Sequence, residues 1–471
     1  MNERDEEIGR PEAGHERMPE ADHEQMHLFE AADRALAQRV FGYAERRLSR
    51  PAGLGAPKSE EELRHLAGET VTEAGLGAEE AFRIFEEVLA PACVNTTHPR
   101  FLSFIPHAPT TASTLFDMAL SASAIFADWW IEGAGAIHAE NETLRWLAAT
   151  IGWPAGAGGV FVSGGTAGNL SALAVGRDVW RRRTGSRSRP AVAVSGGGHS
   201  SFRLATRVLD TEVVEVAADE CGRMLGPALR EAIEASEHEV CAVAATAGST
   251  NFGAVDDLAG IAEVCEEHDL WMHVDGAYGG AGVLAPSVRH RFDGIERADS
   301  FVADPHKWLF APVDCAALIY RDPEQARAAF TQEAEYIDVI EERSEWNPSD
   351  YAIHLSRRAR GMPLWFSLAT HGSAAYSAAV EHCLLLAREA VAMIEDMPEL
   401  ELYCDPDLSV VVFRRLGWGP ADYQRWSDRA LAEGRTLTAP TSWHGEALLR
   451  FCFISPRTTS DDVRGILESL R

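Results

Sequence analysis

The chain has 471 residues, 46% of them hydrophobic and 24% charged, which is enough to bury a large core in a globular protein of more than one subdomain. Its formal charge of −29 repels phosphate backbones and anionic headgroups, so nucleic acid and membrane surfaces are excluded as expected partners and a small molecule is the expected substrate. The eight cysteines contain no C-x-x-C pair and read as reduced thiols of a cytoplasmic protein, and no apolar run approaches the ~18 residues of a membrane span.

Residues from Met1 to about Glu24 are acidic and polar, without an apolar h-region, and read as a flexible lead-in. Leu28, Ala31, Ala32, Leu36, Val40, Phe41 and Ala44 then recur at helical spacing, so a helix is expected over Gln25–Leu48, ended by Pro51, Gly53 and Gly55. A second helix is expected from Glu60 to about Leu89. Residues 1–105 thus read as a helical N-terminal arm. Between Gly159 and Arg321, short β-branched runs (160–162, 191–194, 213–216, 240–246, 271–274, 300–303, 316–320) alternate with helical stretches. This pattern predicts a mostly parallel α/β sheet in a large domain, residues 106–362. Arg181-Arg182-Arg183 within it, together with the stretch from Thr184 to Arg189 that follows, reads as a solvated loop. Helices over 364–397, strands at 409–414 and 448–454 and a closing helix at 461–470 predict a smaller α+β domain, residues 363–471.

Ligands of open α/β sheets bind at the carboxyl ends of strands. Four candidate positions fall there. The turn from Ser163 to Asn169 joins a strand to a helix, and its small residues and free amides suit a phosphate. His199 follows three glycines, Gly196 to Gly198, which clear space beside an imidazole. Asp275 ends an apolar strand, and a carboxylate buried there needs a cationic partner: a protonated pyridine nitrogen, or an arginine in a structural pair. Lys307 is one of only two lysines, the other 41 of the 43 basic residues being arginine. Its amine can form an imine where a guanidinium cannot. A phosphate cradle, an imidazole, a strand-end carboxylate and an imine-forming lysine are together the parts that hold pyridoxal phosphate.

Five segments carry a family resemblance: His98-Pro99-Arg100-Phe101, Ser163 to Leu170, Gly198-His199-Ser200-Ser201, His273 to Tyr278 and Asp304-Pro305-His306-Lys307-Trp308. In these the chain resembles the group II pyridoxal-phosphate-dependent amino-acid decarboxylases, from about Met26 to the C-terminus. The resemblance implies the aspartate-aminotransferase-like fold (fold type I) and a homodimer with active sites at the subunit interface. It also implies decarboxylation of an L-amino acid, aromatic side chains favoured, to the amine and CO2. It makes Lys307 the Schiff-base lysine and Asp275 the partner of the pyridine nitrogen. His199 would stack on the ring, Ala277 would pack on its other face and Thr250 would lie beside its substituents. Thr166, Ala167 and Gly168, with His306, would cradle the phosphate. Tyr336, on a polar lid spanning Gln332–Asp350, would return the proton. Phe104, Ile105 and His107, with Trp130 from the partner, would line the substrate pocket, where Trp129 and Trp130 offer a flat apolar wall or simply pack the interface. Asp304 departs from the asparagine usual in aromatic-specific members. An aldehyde synthase or aminotransferase on the same fold, a decarboxylase of a non-aromatic amino acid, and a metal-dependent hydrolase built on His273, Asp275 and His306 are the alternative expectations.

Overall fold

The computed structural model describes residues 27–50, 52–331 and 345–471. The lead-in expected over the first residues lies outside them. Two compact units divide the chain: one holds the first helices up to Ala92, and the other holds Ala52–Pro57 and everything from Cys93 onward.

In the first unit, α1 (Ala31–Ser49) matches the expected helix. The single helix expected over 60–89 is instead two, α2 (Glu60–Ala67) and α3 (Ala78–Ile84), the second running into a π-turn at Phe85–Leu89. Gly68, Gly75 and Gly77 between them all adopt positive φ, a conformation that breaks a helix and that glycine takes at no steric cost. Ser59 caps α2, reciprocally with Glu62, which starts it sharply.

The second unit is built around a seven-stranded sheet. Its elements in chain order are α4 (Thr111–Ser123), α5 (Trp130–Thr150), β1 (Gly158–Val162), α6 (Gly165–Thr184), β2 (Ala191–Ser195), α7 (Ser200–Leu209), β3 (Glu212–Val216), α8 (Gly226–Glu234), β4 (Val240–Thr246), α9 (Leu258–His268), β5 (Trp271–Asp275), β6 (Ser300–Ala303) and β7 (Ala316–Tyr320). The strand order is β1-β7-β6-β5-β4-β2-β3. β3, β2, β4, β5 and β6 run parallel, and β7 lies antiparallel between β6 and β1. β1 therefore points the same way as β6, and the carboxyl ends of six strands share one edge. Apart from the edge strand β3, the strands are buried along their whole length, as a sheet covered on both faces requires. Beyond Thr184 the stretch is a loop as expected, but the Arg181–Arg183 run is helical. It forms the last turn of α6, where cations face the negative end of the helix dipole.

After α10 (Pro323–Phe330), the chain continues through α11 (Met362–His371), α12 (Ser373–Glu395), β8 (Leu400–Leu402), β9 (Val410–Arg415), α13 (Pro420–Ala432), β10 (Pro440–Trp443), β11 (Glu446–Cys452) and α14 (Ser460–Glu468). These strands form an antiparallel sheet in the order β10-β11-β9-β8. The expected strands and helices all appear, and β8, β10 and α13 are additions. The reading of all cysteines as reduced is corrected: Cys221 and Cys404 form a disulfide across 183 residues, their Cα atoms 6.1 Å apart. No local spacing could reveal it, because the fold brings together a loop after β3 and a loop after β8. Cys241, Cys265, Cys315, Cys383 and Cys452 are buried thiols.

Candidate active site

The turns that follow β1, β4, β5 and β6, together with His199 after β2, enclose a cavity of about 280 Å3 at the shared carboxyl edge. Sheet direction alone puts them together, since parallel strands end on the same side. Among the expected site residues, Thr166, His199, Thr250, Asp275, Ala277, His306 and Lys307 line it; Ala167 and Gly168 do not.

At the mouth of α6, the amides of Ala167 and Gly168 are already bonded to the Gly164 carbonyl at 3.0 and 3.1 Å. The first-turn donors left open to an anion at this helix start are those of Gly165 and Thr166 rather than of the next two residues. Gly168 serves packing instead: a Cβ there would come 2.6 Å from Val302 Cγ2, so its absence lets α6 press against β6. The His306 ring accepts from the Cys315 amide at Nδ1, 3.0 Å away, and this fixes a neutral tautomer with its proton on Nε2. Burial favours that neutral ring, against the pull of Asp304.

Lys307 Nζ lies 2.9 Å from Asp304 Oδ2. Burial alone would drive the ammonium toward losing its proton, but Asp304 and then Asp275 outweigh it and hold the lysine above its ordinary pKa. Asp304 is 3% exposed, and its other oxygen, Oδ1, has no hydrogen-bond partner.

Asp275 sits at the last position of β5, 6% exposed. Its Oδ1 accepts the Ala277 amide at 2.9 Å and its Oδ2 accepts Asn169 Nδ2 at 2.8 Å. Burial pushes its pKa up, while Lys307, the Ala277 amide and Asn169 work to keep it ionised. Asn169, from α6, also donates to Ser201 Oγ at 2.9 Å, and Ser201 Oγ lies 2.9 Å from His199 Nδ1. His199 is the residue preceding α7, and its Nδ1 also accepts the Ser201 amide at 3.2 Å. The cavity-facing imidazole is thus set by the helix it caps. His273 uses both ring nitrogens on protein atoms, Nε2 with Asn169 Oδ1 and Nδ1 with Ser300 Oγ, each at 2.9 Å. It therefore cannot join Asp275 and His306 as a metal ligand, and no group of three ligating side chains occurs among the described residues. Asn169 and its tie to His273 went unread in the sequence; an asparagine inside a glycine-rich turn gives no sign that three buried polar groups converge on it.

His273 makes the acid stability of this region testable. Burial lowers its pKa from 6.5 to about 3, so the folded protein keeps it neutral. A depressed pKa contributes stability above the unfolded value that is lost as pH falls from about 6.5 through about 3. The expected size is a few kcal/mol, at ~1.4 kcal/mol per unit. Thermal melts should show the native chain losing stability over that window more steeply than His273→Asn. Equal slopes would remove His273 from the account.

The remaining expected residues are placed as follows. Phe104 is 60% exposed with φ of 53°, and Ile105 is half-buried against the core. His107 is half-buried with Thr96 Oγ1 3.2 Å from its Nδ1, and burial, then His306, lowers its pKa. Trp130 is half-buried at the first turn of α5, its amide donating to Asn347 Oδ1 at 3.0 Å. Tyr336 lies outside the described residues. The far end of the expected lid is no loose segment: Trp346 stacks on Tyr351 at 4.1 Å and donates to the Gly159 carbonyl, and Asn347 and Ser349 are buried. Arg450, buried on β11, donates to the Thr250 carbonyl at 2.8 Å.

The cavity suits a phosphorylated pyridine aldehyde. It offers free amides and a neutral His306 to an anion, a buried carboxylate to a ring nitrogen and an amine to an aldehyde. Two buried polar atoms at its wall, Thr246 Oγ1 and Asp304 Oδ1, still lack partners.

Comparison with known proteins agrees. Residues 61–416 match the family model described as the pyridoxal-dependent decarboxylase conserved domain. The chain is 31% identical over 424 residues to an aromatic-L-amino-acid decarboxylase of Bacillus atrophaeus, covering 87% of this chain and 88% of the relative. It is 32% identical over 396 residues to an L-2,4-diaminobutyrate decarboxylase of Rhizobium meliloti (strain 1021), covering 79% and 77%. The solved structure of Oryza sativa TDC with PLP and tryptamine superposes with a TM-score of 0.85 at 23% identity, over 96% of this chain and 99% of that one.

Proposed function

Because this chain belongs to the pyridoxal-dependent decarboxylase family, and is thus a pyridoxal-phosphate-dependent amino-acid decarboxylase, we propose that it converts an aromatic L-amino acid to the amine and CO2, with Lys307 and Asp275 at the centre of the site. The observation that carries the reading is one cavity holding the Lys307 amine, the Asp275 carboxylate and the free amides of Gly165 and Thr166.

Bound there, pyridoxal phosphate supplies an electron-withdrawing ring into which the electron pair left by departing CO2 delocalises. The chain's residues do the rest. Gly165, Thr166 and the Nε2 proton of His306 would hold the phosphate. Lys307 would supply the amine that holds the aldehyde covalently. Asp275 would keep the ring nitrogen protonated, so that the ring could accept charge. His199, Ala277 and Thr250 line the same cavity and would orient the ring. Tyr336 returns a proton to the substrate α-carbon once CO2 has left. Tyr336→Phe should leave CO2 release measurable while lowering amine yield at least tenfold; a one-to-one ratio of amine to CO2 in that variant would remove Tyr336 from the role and leave the aldehyde-forming alternative without its basis.

Aromatic preference is supported by the half-buried Trp129 and Trp130 and by the absence of arginine among the residues lining the described cavity, where an acidic side chain would need one. Phe104, Ile105 and His107 would complete the substrate wall, with Trp130 supplied by the partner. Asp128 favours a second reading: it is 3% exposed, its Oδ1 is unpartnered, and burial raises its pKa, so a cationic side chain such as that of 2,4-diaminobutyrate would satisfy it. Assaying CO2 and amine from tryptophan, tyrosine, phenylalanine, histidine and 2,4-diaminobutyrate decides between them. A kcat/KM for 2,4-diaminobutyrate above those for the aromatic acids, abolished by Asp128→Asn, would overturn the aromatic assignment.

A homodimer goes with this reading. Phe104, Phe126, Ile131 and Val313 are large apolar side chains more than half exposed in the single chain, more than a soluble monomer leaves uncovered without reason. Sedimentation should give twice the chain mass. No helix among the described residues is long and apolar enough to cross a membrane. A cytoplasmic location fits the buried thiols, and the Cys221–Cys404 bond is the feature that a reducing compartment would open.

A further inference from the structure

Buried hydrogen-bond chains have a direction wherever one end is a group that can only donate. Trp271 Nε1, such a group, donates to Ser300 Oγ at 2.9 Å. The Ser300 hydroxyl is then free to donate to His273 Nδ1, which leaves the His273 proton on Nε2, facing Asn169 Oδ1. With its carbonyl held in that way, the Asn169 amide cannot flip. Both of its N–H groups point toward the cavity side, one at Asp275 Oδ2 and the other at Ser201 Oγ. Ser201, having accepted, donates its own proton to His199 Nδ1. Trp271, Ser300, His273, Asn169, Ser201 and Asp275 are each at most 7% exposed, so no water competes for these bonds. With donor-only Trp271 at one end and the acceptor-only Asp275 carboxylate at the other, this direction satisfies each of these polar groups.

We propose that Asn169 is a positioning residue that ties the carboxylate of Asp275 to the imidazole of His199, and that the Trp271–Ser300–His273 chain behind it sets which way its amide faces. A reversed amide would put its carbonyl oxygen 2.8 Å from a carboxylate oxygen, two acceptors facing each other in a dry site. Asn169 also keeps a donor on Asp275 after Lys307 has turned to the cofactor, when the lysine charge no longer serves that purpose alone. On the other branch, His199 is left with its proton on Nε2, so the atom it offers to the cavity is a donor.

The inference rests on the reading of Asp275 as the partner of the ring nitrogen, and a double-mutant cycle separates the two. The full-length protein is prepared as Asn169→Ala, Asp275→Asn and the double variant, and the Kd for pyridoxal phosphate is measured by tryptophan fluorescence titration alongside the melting temperature. Asn169→Ala should weaken cofactor binding about tenfold or more and shift the pH midpoint of the bound cofactor's absorption band, yet should change little once Asp275 is already asparagine. Additive effects in the double variant, with Asp275→Asn itself weakening binding, would overturn this inference and leave the function standing. An Asp275→Asn variant with native affinity would overturn both. If Asn169→Ala does not fold, the isosteric Asn169→Asp carries the same cycle. A purely structural role would lower the melting temperature of Asn169→Ala without moving the absorption midpoint.

Discussion

Lys307→Arg is expected to lose decarboxylase activity by a factor on the order of 10^4 or more while folding normally, and Lys307→Ala is expected to lose both activity and stability. The difference between the two variants comes from Asp304. That carboxylate is 3% exposed, and its ion pair is the 2.9 Å contact with Nζ. Arginine keeps a cation beside it but has no amine that can form an imine. Alanine strands a buried charge, which costs about 3–5 kcal/mol when one partner of a buried pair is removed. The partial exposure of Lys307, about a quarter of its side chain, places the cost toward the low end of that range. Borohydride reduction followed by mass measurement of the intact chain reads the covalent link directly. The native protein should carry one cofactor mass on the peptide containing Lys307, and neither variant should carry any. Retention of the label in Lys307→Arg would mean that another amine holds the cofactor and would sink the assignment.

Asp275→Asn should reduce kcat by about 10^2–10^3, the size of an electrostatic term of ~3–4 kcal/mol aimed at charge that develops during reaction. Two consequences combine in this substitution. The negative charge proposed to keep a ring nitrogen protonated is gone. In addition, the new amide meets two donors already in place, the Ala277 N–H and the Asn169 N–H, so one of its own N–H groups faces another. Asp275→Glu keeps the charge but moves it by one methylene inside a site that is 6% exposed, and should fall between the two. Measuring kcat and KM separately across the three proteins tests this. A kcat in Asp275→Asn within threefold of the native value would show that the carboxylate does no work on the ring.

The fold and the inventory of the site were legible because both are carried by local patterns. Each strand of the large sheet was marked by a β-branched run, and the 163–169 turn, His199, Asp275 and Lys307 stood out just after such runs, where a parallel sheet places its ligands, while Thr246, Gly248 and Ser249 in the same cavity did not. Lys307 was visible through composition, as one of two lysines in a chain rich in arginine. What failed did so for identifiable reasons. The helix expected over 60–89 was broken by glycines that hydrophobic spacing does not weigh. The free amides of the α6 turn shifted by one to two residues because the Gly164 carbonyl consumes those of Ala167 and Gly168, a detail of the first helical turn. The short strands β8 and β10 owe their existence to pairing with β9 and β11 rather than to their own sequence.

The amino-acid sequence on its own determined the strand and helix alternation, the chemical groups available for catalysis and the family to which they conform, because these depend on residue type and near spacing. Tertiary structure alone decided that Asp304 claims Lys307, that Cys221 reaches Cys404 across 183 residues, and that Asn169 joins Asp275 to His199 with His273 behind it. The disulfide and the Asn169 network join side chains far apart in the chain, whereas Asp304 and Lys307 are near neighbours; their ion pair, like the Asn169 hydrogen bonds, gains its strength from the exclusion of water, which exists only once the sheet and its helices have closed around it.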